Sequence, residues 1–62
     1  MTELILQPNL PDPDAAYAML VAAHEGRDER ESHALNARLV LILANHLGDP
    51  DLLAQAIAAA TE

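Results

Sequence analysis

Cysteine, phenylalanine, tryptophan and lysine are all missing from this chain, and tyrosine occurs once. Without cysteine no disulfide can staple the fold, and the thiolate zinc sites that organise many small domains are ruled out as well. Without large aromatics the core must be aliphatic, and thirteen of the apolar residues are alanines, so the filling is thin. A chain of 62 residues therefore has few ways to support a fold by itself. Association with a second copy is the remedy left.

Positive charge is scarce too. Ten Asp and Glu face three cations, Arg27, Arg30 and Arg38, for a net charge of −7. Phosphate neutralisation needs clustered Lys or Arg, so nucleic acid is excluded as a partner, and so is an anionic membrane surface. The first residues lack the basic and long apolar regions of a signal peptide. The longest run of large apolar residues, Leu39 to Leu43, is too short to span a bilayer. These features predict a soluble cytoplasmic protein.

What is present is helical punctuation. Asp12-Pro13-Asp14 is a helix start: an N-cap acceptor, a proline suited to the first helical position, and an acid for the positive end of the macrodipole. Gly26 closes that helix, whose Tyr17, Leu20, Val21 and His24 fall at i, i+3, i+4 and i+7, with Met19 and Ala23 widening the stripe. Asp28 and Glu31 have capping-box spacing and open a second helix that stops at Gly48. Asp49-Pro50-Asp51 repeats the starting device. Leu52, Leu53, Ala56, Ile57 and Ala60 then mark the inner face of a third helix. Before all three, Leu4, Ile5 and Leu6 form a short extended arm that Pro8 ends, placed to cross a neighbouring helix or its counterpart in a dimer.

The second helix carries the strongest signal. Leu35, Leu39, Ile42 and His46 form one row, Val40, Leu43 and Leu47 a second, and Arg38, Leu41 and Asn45 a mixed third. A helix that is apolar on so many faces wants partners on more than one side. Asn36, Arg38, Asn45 and His46 flank the apolar run. They either fix the register of a helix seam or are satisfied by water and by carbonyls at the helix end.

Sites for chemistry are few. Ser32 stands next to His33, but adjacent helical residues point about 100° apart, so the pair is no nucleophile and base. His24, His33 and Glu29 are the best set for a metal or small ligand, a hairpin turn bringing His24 near His33. Their spacing departs from the Glu-x-x-His pairs of di-iron bundles, because Glu29 and His33 are four apart. The plainer reading puts His24 and His46 on carbonyls at helix C-termini and pairs His33 with Glu29. Ala44, Leu47, Gly48 and Ile57 partly match helix-turn-helix spacing, but the third helix has no cation to meet phosphate. No glycine-rich phosphate cradle occurs. An acidic neutraliser of a basic toxin would share the charge but calls for a disordered binding tail, and only Thr61 and Glu62 follow the third helix.

In the order PNLPDPD, ESHALNARL, LANHLGD, these blocks resemble a family of short bacterial proteins known as a domain of unknown function. The resemblance covers nearly the whole chain. It implies a bacterial, stand-alone protein, and it brings no established activity, cofactor or catalytic residue. It also implies an accessory role beside enzymes encoded nearby, such as flavin-dependent aromatic hydroxylases and other degradation enzymes.

The sequence thus predicts an all-α protein: a small helical hairpin plus a short third helix, completed as a dimeric helical bundle. One domain covers residues 1–62, with an arm over 1–11 and helices over about 13–25, 29–47 and 50–60. The expected function is that of a small acidic interaction module or accessory subunit, homodimeric and without catalytic activity or cofactor. Leu35, Leu39, Ile42, Leu43 and Leu47 are its expected interface. The alternative is a metal- or small-ligand-binding subunit using His24, His33 and Glu29.

Overall fold

The computed structural model describes residues 3–62, so Met1 and Thr2, at the head of the expected arm, lie outside the described residues. Three helices follow one another: α1 (Pro13–His24), α2 (Glu29–Leu47) and α3 (Pro50–Ala60). Each begins where an aspartate stands just before it. Asp12 Oδ1 accepts the N–H of Ala15 at 3.0 Å. Asp49 Oδ1 accepts those of Asp51 and Leu52 at 2.9 and 3.3 Å. At Asp28 the capping box is complete, with Glu31 N–H on Asp28 Oδ1 at 2.8 Å and Asp28 N–H on Glu31 Oε1 at 3.0 Å. These bonds satisfy backbone donors that the first turn leaves orphaned. Replacing Asp12 or Asp49 by alanine is expected to cost about 1 kcal/mol each. Urea titrations of the two variants check this, and unchanged midpoints would mean that the caps do not set the helix starts.

Glycine ends the helices in two different ways. Gly48 is the C-cap of α2 in the left-handed region, φ 68°, and its N–H reaches Ala44 O at 3.0 Å. At α1 the cap is Glu25 in an extended conformation, and Gly26, φ 75°, lies one residue beyond, in the turn to α2. Arg27 ties that turn back: its N–H donates to His24 O at 3.2 Å and its Nε–H to Ala23 O at 2.9 Å.

Helices α2 and α3 make the most extensive helix–helix contact. Leu52 is the one buried hydrophobic side chain among the described residues, at 9% exposure, with Leu53 and Ala56 half-buried beside it on α3. Ile57 and Ala60, also expected on that inner face, are exposed. The arm runs back over this pair, where Leu4 N–H donates to Gln55 Oε1 at 3.0 Å and Leu4 is half-buried. Helix α1 buries no residue, and the stripe read as its core face is open, with Tyr17 70% exposed. The expected three-helix, all-α arrangement is present; within it the more extensive helix contact is α2 with α3, while α1 meets α2 beside their turn through His24.

The result is long and loosely filled. It measures 41 × 25 × 24 Å with a radius of gyration of 13.3 Å. A compact domain of this length has a radius of gyration of about 11 Å.

Candidate interaction surface

The surface is built from the middle of α2 outward. Over Leu39–Ala44 the apolar side chains occupy more of the helix circumference than α3 can cover. Leu39 and Ala44 are half-buried, while Val40, Leu41, Ile42 and Leu43 are exposed, Ile42 to 64% and Leu43 to 57%. Of the five residues expected at an interface, Leu35 and Leu39 are half-buried and Ile42, Leu43 and Leu47 are open. Leu43 and Leu47 stand together. With Val40 and Ala44 of α2 and Leu53 and Ala56 of α3 they line a groove of about 410 Å³, and His46 sits at its edge. Leu35, Leu39 and Ile42 lie outside that groove.

Total area gives the scale of what is uncovered. The chain presents 5587 Å² to solvent. A folded monomer of 6.6 kDa presents about 3,900 Å² by the usual mass scaling. The excess, on the order of 1,700 Å² of polar and apolar surface together, accompanies the elongated shape. Isolated exposed leucines are ordinary, whereas Val40, Leu41, Ile42, Leu43 and Leu47 of α2 are exposed on one and the same helix.

A second constellation joins α1 to α2. His24 Nε2 lies 3.1 Å from Asn36 Oδ1, an acceptor to which the ring donates in its Nε2–H tautomer. In the neutral ring Nδ1 is then the acceptor, and the Ser32 hydroxyl donates to it at 2.8 Å. The reading of His24 as a partner of helix-end carbonyls is thereby corrected, and the exposed Asn36 is in hydrogen-bond contact with its imidazole. Sequence reasoning compared Ser32 with its neighbour His33 and missed His24, eight positions upstream. The available signal was the short Gly26 turn, which folds the last turn of α1 onto the first turns of α2.

This hydroxyl–imidazole–amide chain has the order of a nucleophile, its base and an orienting group. The Ser32 N–H is used on Asp28 O at 2.9 Å, and that of Glu31 on Asp28 Oδ1. The two bonds on His24 join the end of α1 to the first half of α2. They also engage both ring nitrogens of His24, the first residue of the expected metal set. Among the described residues no group of three or more His, Cys, Asp or Glu side chains is placed to hold a metal ion.

No helix among the described residues is long and apolar enough to cross a membrane. No curated protein and no solved structure matches the chain. Over residues 4–62, nearly its whole length, the chain matches the family described as Protein of unknown function (DUF2783), and it belongs to that family.

Proposed function

We propose that this protein is a small acidic interaction module, an accessory subunit that completes its core by pairing with a second copy and has no catalytic activity of its own. The observation that carries the reading is the set of exposed apolar side chains on α2, Val40 to Leu43 with Leu47, together with a core reduced to Leu52 among the described residues. Leu43 and Leu47 in the groove, with Leu35, Leu39 and Ile42 on the neighbouring rows of α2, supply the buried surface of the dimer. Asp12, Asp14, Asp49 and Asp51 at the helix starts keep the free protein dispersed and suit a basic partner, such as an enzyme the module accompanies. A cytoplasmic setting fits a chain with no disulfide for a reducing compartment to break.

Folding coupled to pairing makes stability depend on concentration. A tenfold increase in protein adds about 1.4 kcal/mol per dimer, which for a dimer of this size raises the melting temperature by about 5 °C. Calorimetry at two concentrations, with sedimentation velocity on the same samples, checks this. A compact monomer at high micromolar concentration with a concentration-independent melt would overturn the reading.

A further inference from the structure

We propose that Ser32 is an acyl-accepting hydroxyl, deprotonated by His24 as it attacks an activated ester or thioester, with Asn36 holding the imidazole in place. The site is separate from the pairing surface, since none of these three residues lines the α2–α3 groove. Among the described residues the only hydrogen bonds between side chains are the two that converge on this ring, Ser32 Oγ–H on Nδ1 at 2.8 Å and Nε2–H on Asn36 Oδ1 at 3.1 Å. Ser32 and Asn36 stand four apart on one face of α2, and His24 is the last residue of α1, so the Gly26 turn brings the ring against both. Engaging Nε2 as a donor leaves Nδ1 as the base, and 2.8 Å is within the reach that proton transfer needs. Ser32 and His24 are half-buried rather than enclosed, so the pair meets solvent.

The surroundings select the donor. A net charge of −7 disfavours a phosphoryl donor, so a carbonyl carbon is the fitting electrophile. The N–H of Ser32 is held by Asp28 O at 2.9 Å and that of Glu31 by Asp28 Oδ1 at 2.8 Å, so these two amides are committed elsewhere than to a developing oxyanion. The donor must therefore bring a leaving group that departs readily, an aryl oxide or a thiolate rather than an amine. In the step, the bond from Ser32 Oγ to the carbonyl carbon forms as the hydroxyl proton passes to His24 Nδ1. The bond to the aryl oxide or thiolate then breaks and the imidazolium gives it the proton. The products are a Ser32 ester and a phenol or thiol, with no change of oxidation state. A serine alkoxide leaves far less readily than either group, so the ester persists. Each chain takes up one acyl group, a modification rather than turnover.

The composition makes the test clean, because Ser32 is the only serine and both cysteine and lysine are absent. The intact protein is treated with 4-nitrophenyl acetate, and the acetylated residue is located and timed by peptide mass spectrometry. Ser32 is expected to acetylate about a hundredfold faster than the serine of an unstructured peptide spanning residues 29–36, the low end of what a positioned base supplies. That peptide keeps His33 and lacks His24. His24→Gln should bring the rate in the whole chain down to that of the peptide. Asn36→Leu should slow it about tenfold through a misplaced ring. Asn36→Asp should restore it, since a carboxylate also accepts the Nε2–H, a rescue that a merely structural Asn36 would not give. A Ser32 rate no faster than the peptide's would overturn the proposal, as would an unchanged rate in a His24→Gln chain whose circular dichroism matches the parent's. Should His24→Gln unfold the chain, equal rates in Asn36→Leu and the parent would overturn it instead.

Discussion

Replacing Leu43 by aspartate is expected to abolish self-association. Leu43 is open within its own chain and stands in the groove that pairing would cover, so a carboxylate there is desolvated only on association. At about 3 kcal/mol per site, and with the site present twice in a symmetric pair, the dimer weakens by about 6 kcal/mol, or roughly four orders of magnitude in its dissociation constant. In sedimentation the variant should run as a monomer at concentrations where the parent is paired, and its melt should lose its dependence on concentration. Ile42→Asp, on the adjoining row, probes the breadth of the same surface. Should both variants keep the oligomeric state of the parent, the open face of α2 is not an interface.

The second large effect belongs to Leu52. It is the one buried hydrophobic among the described residues and sits where the arm and both packed helices meet, bordering a hollow that Leu4, Ile5 and Leu47 also line. Truncating a buried leucine to alanine costs about 2–5 kcal/mol, and a chain of this length has on the order of 3–9 kcal/mol in total. Leu52→Ala is therefore expected to lower the melting temperature by roughly 15 °C at fixed concentration. A shift of a few degrees would mean that the α2–α3 contact is not the centre of the fold. Together the variants separate burial within the chain, at Leu52, from the proposed pairing between chains, at Leu43.

Local signals in the sequence and the structure agree closely, and the reason is range. Asp12, Asp28 and Asp49 each bind N–H groups two or three residues away, so the residues that determine a helix start are next to it in the sequence. The capping box of Asp28 and Glu31 and the αL stop at Gly48 were legible for the same reason. Periodicity is a weaker guide. It tells which side chains share a face but not what covers that face. Tyr17, Leu20 and Val21 read as a core stripe and stand open, and Ile57 shares a face with Leu53 and Ala56 yet is not covered. The bond between Ser32 and His24 was hidden because it depends on how the Gly26 turn directs two helices, a matter of tertiary geometry rather than of spacing.

The sparse interior has a consequence for how long a lone chain survives. With one hydrophobic side chain buried among the described residues, little opposes the local openings through which proteases engage a backbone. Each helix is specified by its own cap and forms from neighbouring residues, so secondary structure arises quickly, while under the proposed pairing protection would wait on a bimolecular encounter. Newly made chains would then compete between meeting a partner and being degraded, and unpaired surplus would be cleared first. Under the proposed pairing, the thinness of the core would tie the steady-state amount of the protein to the amount that has found its complement.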